Sequence, residues 1–127
     1  MAKIAVVEDN DAMRAQLCGF IAQYAQESGH QLDVTAFSDG AQLVEPYRPG
    51  FDIIFLDIEM PKLGGMPTAE RIRSQDPDVV LVFVTNMAQY AIRGYEVDAL
   101  DFVLKPVSYY QFSTCLLYTS PSPRDAT

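Results

Sequence analysis

Short apolar runs, each closed by a polar or charged residue and separated by segments of helical character, constrain this chain more than any other feature. Lys3 to Val7 ends in Glu8-Asp9, Phe51 to Leu56 ends in Asp57, and Val79 to Val84 ends in Thr85. Asp101 to Leu104 is shorter and leads into Lys105-Pro106, while Leu32 to Phe37 alternates apolar with polar or small residues. Unbroken apolar runs of this length read as strands buried on both faces, and alternation reads as a strand nearer an edge. Between them, Met13, Leu17, Ile21 and Tyr24, with Phe20 beside them, predict a first helix capped by Asn10 or Asp11 and ended at Gly29. Ser38-Asp39-Gly40 opens a short second helix carrying Ala41, Leu43, Val44 and Tyr47, broken by Pro49-Gly50. A third helix is predicted from about Met66 to Gln75 with Ala69 and Ile72 inward, a fourth from about Met87 to Tyr95, and a fifth from Tyr109 onwards. Strands alternating with helices predict an α/β fold: a doubly wound, five-stranded parallel sheet of flavodoxin-like order 2-1-3-4-5, with helices on both faces.

A chain of 127 residues suits one core, and 49% apolar with 20% charged residues is a globular composition. The expected domain covers residues 1–117, with its fifth helix incomplete. Residues 118–127 read as a non-native or disordered tail, because from Thr119 the chain has two prolines and no periodicity. No apolar run approaches the ~20 residues that span a bilayer, and the N-terminus lacks the long apolar segment of a signal peptide, so no membrane role and a cytoplasmic location are expected. The two cysteines, Cys18 and Cys115, form no CxxC pair, which argues against a zinc or redox motif; Cys18 is expected in or near the core. A formal net charge of -8 argues against direct nucleic-acid binding by this fragment, because that binding neutralises phosphates with Lys and Arg. His30, in the turn before the second strand, is expected at the surface, and Tyr90 and Tyr95 are expected to pack on the core from the fourth helix.

In doubly wound sheets ligands bind beyond the carboxyl ends of the strands, where strand order reverses. The residues there are Glu8 and Asp9, Asp57, Thr85 and Lys105. Order 2-1-3-4-5 sets the first and third strands side by side, so three carboxylates converge with a hydroxyl and an ammonium at the rim. Packed carboxylates repel unless a cation compensates them, and Mg²⁺ takes oxygen ligands. Such a cation would also neutralise an incoming phosphoryl group, which makes Asp57 a plausible nucleophile towards phosphorus, with Lys105 and Thr85 placed to meet the transferring oxygens.

Val7-Glu8-Asp9-Asn10, Phe55-Leu56-Asp57-Ile58-Glu59-Met60-Pro61 with Gly64-Gly65, Val84-Thr85-Asn86 and Leu104-Lys105-Pro106 resemble the receiver domain of two-component response regulators, over about residues 3 to 117. The resemblance implies that Asp57 is the phosphoacceptor and that Thr85 and Lys105 contact the phosphoryl group. It implies a Mg²⁺ (or Mn²⁺) held directly by Asp9 and Asp57, by Glu8 through water and by the backbone carbonyl of Glu59. It also implies a switch pair, Thr85 and Phe102, the latter lacking the hydroxyl of the Tyr common there, and a cis Lys105-Pro106 bond. Asn86 is larger than the residue often found after the switch Thr. Asn86 to Phe102 resembles the LytTR-type subgroup, whose receivers precede a DNA-binding domain, so this chain is expected to be truncated before such a domain. The implied function is Mg-dependent phosphoryl transfer from a sensor histidine kinase to Asp57, switching the face of the fourth helix and fifth strand and so a transcriptional output carried elsewhere. A homodimer through the fourth and fifth helices is left open. The chain is expected to be a signalling receiver that catalyses only its own phosphorylation and dephosphorylation. The competing classes are a haloacid-dehalogenase-like phosphotransferase, for which Asp57-Ile58-Glu59 is a poor match to the DxD pattern, and a phosphorylation-independent interaction module.

Overall fold

A computed structural model describes residues 2–58, 60, 63–86, 99 and 101–117, with backbone alone at Asp101 and Phe102. The strands are β1 (Ala2–Val7), β2 (Leu32–Phe37), β3 (Ile53–Leu56), β4 (Val80–Thr85) and β5 (Asp101–Leu104). They form one 5-stranded sheet in the order β2-β1-β3-β4-β5, and every pairing is parallel. The expected topology is therefore the observed one.

Successive residues of a strand face opposite sides of a sheet, and here each side has its own core. Ala5, Val7, Ile54, Leu56, Leu81 and Phe83 point to one face, where they meet α2 (Gly40–Val44) and α3 (Gly65–Gln75) through Leu43, Met66, Ala69 and Ile72. Ile4, Val6, Ile53, Phe55, Val82, Val84 and Val103 point to the other, under α1 (Asp11–Ser28) and the helix Tyr109–Leu117. Leu17, Ile21 and Tyr24 form the buried stripe of α1. Phe112 stacks on Phe55 with ring centroids 4.2 Å apart and also meets Phe20, tying both helices to the centre of the sheet. Along the edge strand β2, half-buried Leu32 and Val34 alternate with exposed Asp33 and Thr35, as the alternating sequence requires, while Ala36 is exposed and Phe37 is half-buried.

Local chemistry sets the element ends. The Asn10 side chain accepts from the Met13 N–H at 2.9 Å to open α1, which closes at Gly29. The second helix ends at Val44, earlier than the Pro49-Gly50 boundary. Pro46 follows Glu45 and disfavours helical backbone at the residue before it. Tyr47 lies beyond that helix and is still buried, its hydroxyl donating to Asp76 at 2.7 Å. Burial first, then the hydrogen bond to Asp76, raises the Tyr47 pKa. His30 is half-buried, edge-on to the Tyr24 ring at 6.4 Å, and so is less exposed than a turn residue was expected to be. The helix expected over Met87 to Tyr95, with Tyr90 and Tyr95, lies outside the described residues, as do residues 118–127.

Candidate phosphoacceptor and metal site

Register alone brings the acidic residues together. Val7 pairs with Phe37 on one side and Leu56 on the other, so the next residues, Glu8 and Asp57, leave the sheet side by side. The backbone ladder runs one step further at this edge: the Glu8 N–H donates to Phe37 at 3.0 Å and the Asp57 N–H donates to Val7 at 2.9 Å. Thr85 ends β4, and the Lys105 N–H donates to its carbonyl at 2.8 Å. The Lys105-Pro106 bond is cis.

Glu8, Asp9 and Asp57 each offer a carboxylate oxygen, and these oxygens lie within 4.8 Å of one another. Glu8 and Asp57 are buried, at 1% and 4% exposure, while Asp9 is exposed. The Lys105 ammonium sits between the two buried acids, 2.8 Å from Glu8 Oε1 and 3.4 Å from Asp57 Oδ1. Among the described residues, Glu8 Oε1 has no aligned hydrogen bond, and the Lys105 ammonium meets it as an ion pair. Glu8 Oε2 accepts from the Asn10 N–H at 3.2 Å, and Arg14 donates to the Glu8 carbonyl at 2.9 Å, so the start of α1 fixes the Glu8 side chain and backbone together.

One ammonium does not neutralise three carboxylates. Burial, then the charge of Glu8, pushes the Asp57 pKa up to about 7, although Lys105 opposes the shift. Burial works against the Lys105 ammonium, but its contacts with Glu8 and Asp57 outweigh it and leave the Lys105 pKa raised. A hard divalent cation suits this donor set: the ligands are clustered carboxylate oxygens, one buried oxygen lacks an aligned donor among the described residues, and the site carries excess negative charge.

Of the residues singled out in the sequence, Glu8, Asp9, Asp57, Thr85 and Lys105 stand at this one edge. Glu59 and the Phe102 side chain lie outside the described residues. Two supports were given no role by sequence reasoning, although Gly65 stood within the quoted Gly64-Gly65 motif. The first is Gly65, at the start of α3, which packs directly on the backbone of Asp57 and Ile58. The second is Asp39. Its side chain caps α2 by accepting from the Ala41 N–H at 2.8 Å and also accepts from the Leu63 N–H at 3.3 Å, in the connection that follows Asp57. Ser38-Asp39-Gly40 signalled the cap, but nothing in the sequence signalled the second bond.

The family model of the response regulator receiver domain matches residues 4–116. The chain belongs to that family. Among curated relatives, this receiver is 30% identical over 122 residues to the sensory transduction protein LytT of Oceanobacillus iheyensis, covering 89% of this chain and 46% of the relative. It is 30% identical over 105 residues to the transcriptional regulatory protein YpdB of Escherichia coli K12, covering 82% of this chain and 41% of that one. The chain thus spans less than half the length of these relatives. Among solved structures, the response regulatory domain of protein mrkE from Klebsiella pneumoniae superposes with a TM-score of 0.82 at 26% identity, covering 94% of this chain and 96% of that one. The acidic cluster of this receiver fits a phosphoacceptor site, and among the described residues no helix is long and apolar enough to cross a membrane.

Proposed function

We propose that Asp57 accepts a phosphoryl group from a phosphohistidine of a sensor kinase and that the phosphorylated domain controls a transcriptional output carried by a part of the protein outside this chain. The observation that carries this reading is the gathering of Glu8, Asp9 and Asp57 within 4.8 Å, with the Lys105 ammonium 3.4 Å from the proposed nucleophile. Mg²⁺, or Mn²⁺ in its place, would be held by Glu8, Asp9, Asp57 and the Glu59 carbonyl, and when bound it would offset the charge of both carboxylates and phosphoryl oxygens. An Asp57 carboxylate oxygen attacks phosphorus, the phosphorus–nitrogen bond of the donor breaks, and the imidazole leaves with the electron pair. Lys105 then pairs with a phosphoryl oxygen, and the Thr85 hydroxyl donates to another. Burial of Asp57 beside β1 keeps the nucleophile fixed in one orientation.

The domain is assigned to residues 1–117, with residues 118–127 as a tail. Thr85 and Phe102 are proposed as the switch pair that acts on the face of β5 and of the fourth helix expected from about Met87 to Tyr95, and a homodimer through the fourth and fifth helices is an assembly this reading accommodates. In this reading the domain is a signalling receiver of the cytoplasm that acts catalytically only on its own phosphoryl group, and the fragment itself contacts neither nucleic acid nor membrane.

Incubation with Mg²⁺ and acetyl phosphate tests the reading. One base-labile phosphate per chain, lost in Asp57→Asn, is the expected result. Label retained in Asp57→Asn contradicts the assigned nucleophile, multiple turnover of the donor points to a phosphotransferase, and an absence of label points to an interaction module.

A further inference from the structure

We infer that Arg14 is a positioning residue for the metal site: its guanidinium holds the Glu8–Asp9 peptide in the orientation that presents both acids to a cation. The inference rests on the metal reading above and deepens it. The sheet ladder stops one residue short of the site. The Val7 carbonyl accepts from the Asp57 N–H at 2.9 Å, whereas the Glu8 carbonyl lies beyond that rung and accepts from the Arg14 guanidinium, also at 2.9 Å. The Arg14 side chain is 23% exposed, so it lies against the turn rather than out in solvent. Its other terminal nitrogen pairs with Asp11, whose side chain is exposed. Such an exposed pair contributes little stability by itself. Its part here is to fix the plane of the guanidinium while the first nitrogen reaches Glu8.

Burial orients Glu8 and Asp57, but Asp9 is exposed and depends on the two peptide groups that flank it. A peptide group is planar, so holding both planes fixes the Cα between them and the direction in which its side chain starts. The plane before Asp9 is held by Arg14 through the Glu8 carbonyl. The plane after it is held by the Asn10 N–H, which donates to Glu8 Oε2 at 3.2 Å. The Asn10 carbonyl in turn accepts from the Arg14 N–H at 2.9 Å, so one residue of α1 grips the turn on both sides of Asp9. Each contact runs directly from Arg14 to a proposed ligand or to its immediate neighbour. Groups that orient the ligands of a metal, without touching it, commonly change affinity by about 10- to 100-fold when removed.

The test is thermal unfolding of the whole chain across a MgCl₂ series, which reads the half-saturating Mg²⁺ concentration without any phosphorylation. The sign of the change separates the possible roles of Arg14. A positive charge near clustered acids opposes a second cation, so a guanidinium acting through its field alone would make Arg14→Met bind Mg²⁺ more tightly. A purely structural guanidinium would lower the unfolding temperature in EDTA and leave the Mg²⁺ requirement unchanged. As a positioning residue, Arg14 is expected to yield a Met variant that needs about tenfold more Mg²⁺. A requirement that is unchanged or lower overturns the inference. Arg14→Lys keeps the charge and loses the two-nitrogen fork, so it is also expected to need several-fold more Mg²⁺, and a wild-type requirement overturns the inference even if Arg14→Met does not fold. Asp9→Ala serves as the control. If it abolishes the Mg²⁺ response while Arg14→Met leaves it intact, the inference fails alone; if Asp9→Ala also leaves the response intact, the metal reading fails with it. On the unaltered protein, nuclear magnetic resonance is expected to show the Arg14 Nη protons protected from exchange with water both with and without Mg²⁺, and rapid exchange in both overturns the inference.

Discussion

Gly65 presses against Asp57 so closely that a Cβ built on it would stand 2.2 Å from the Asp57 carbonyl oxygen and 2.8 Å from the Ile58 Cα. Both neighbours are backbone, so neither can rotate away. Gly65→Ala must push α3 off the end of β3, at a cost of about 1–3 kcal/mol for overpacking, and must shift the carboxylate that β3 carries. Urea unfolding is expected to show that loss, together with slower labelling by acetyl phosphate. Gly19 is the counter-case. It lies inside α1, and a methyl added there would meet nothing within 4 Å, so Gly19→Ala is expected to stabilise the chain by up to about 1 kcal/mol. Similar effects of both substitutions would show that the close approach at Gly65 has no consequence.

The Asp57 pKa of about 7 makes stability depend on pH in a definite direction. The folded-state value lies above that of an unfolded carboxyl, so the folded chain binds the proton more tightly. The associated stabilisation is fully present below about pH 4 and is lost as pH rises towards 7. In EDTA, the difference between wild type and Asp57→Asn in unfolding temperature should therefore move against the wild type across that window. Saturating Mg²⁺ should remove most of the difference at pH 7 by compensating the ionised acid. A difference that is flat with pH in EDTA would mean that Asp57 ionises normally in the fold.

The strand order and the acidic cluster were both legible in the sequence for one reason. A parallel sheet covered on both faces needs unbroken apolar runs, and the residue that ends each run is delivered to the same edge. Val7 and Leu56 pair directly, so Glu8 and Asp57 had to be neighbours once the order was known. The pairing of Lys105 with Glu8 was not legible, because those residues come from strands three places apart in the sheet and meet only through the reach of a long side chain. Asp39 shows the same limit. Its cap to Ala41 is a local pattern two residues long, whereas its bond to Leu63 spans 24 residues and exists only once α2 and α3 pack together. The premature end of α2 was visible in Glu45-Pro46, but the later Pro49-Gly50 pair obscured it.

Lys105 is the only ammonium reaching the buried acids among the described residues, and its removal separates two roles. Lys105→Met leaves Glu8 and Asp57 facing each other without a cation. In EDTA at pH 8 the variant is expected to lose roughly 3 kcal/mol, the low end for breaking a buried pair because the ammonium is still 21% exposed. Mg²⁺ should recover more stability in the variant than in wild type, since the site is then more negative. Labelling by acetyl phosphate should nonetheless be slower, because a positive partner for the phosphoryl oxygens is gone. Unchanged stability in EDTA, measured by urea unfolding, would mean that the two acids are compensated by something other than this pair.

Phe112 tests whether the second face of the sheet matters to the site or only to the fold. It is fully buried, stacked on Phe55 and in contact with Phe20, so it links the 109–117 helix and α1 to the middle of β3. Phe112→Ala opens a cavity there and is expected to cost about 3–5 kcal/mol in urea unfolding. Phe55 lies two residues before Asp57 on β3, but the adjoining ladder at Val7 and the packing of Gly65 hold the strand end from the other side. At a temperature where the variant remains folded, its Mg²⁺ requirement should therefore stay within about twofold of wild type, as expected for sites joined by no shared polar contact. A Mg²⁺ requirement that rises with the lost stability would mean that the edge carrying the acids is held by this aromatic stack as much as by the seam around Gly65.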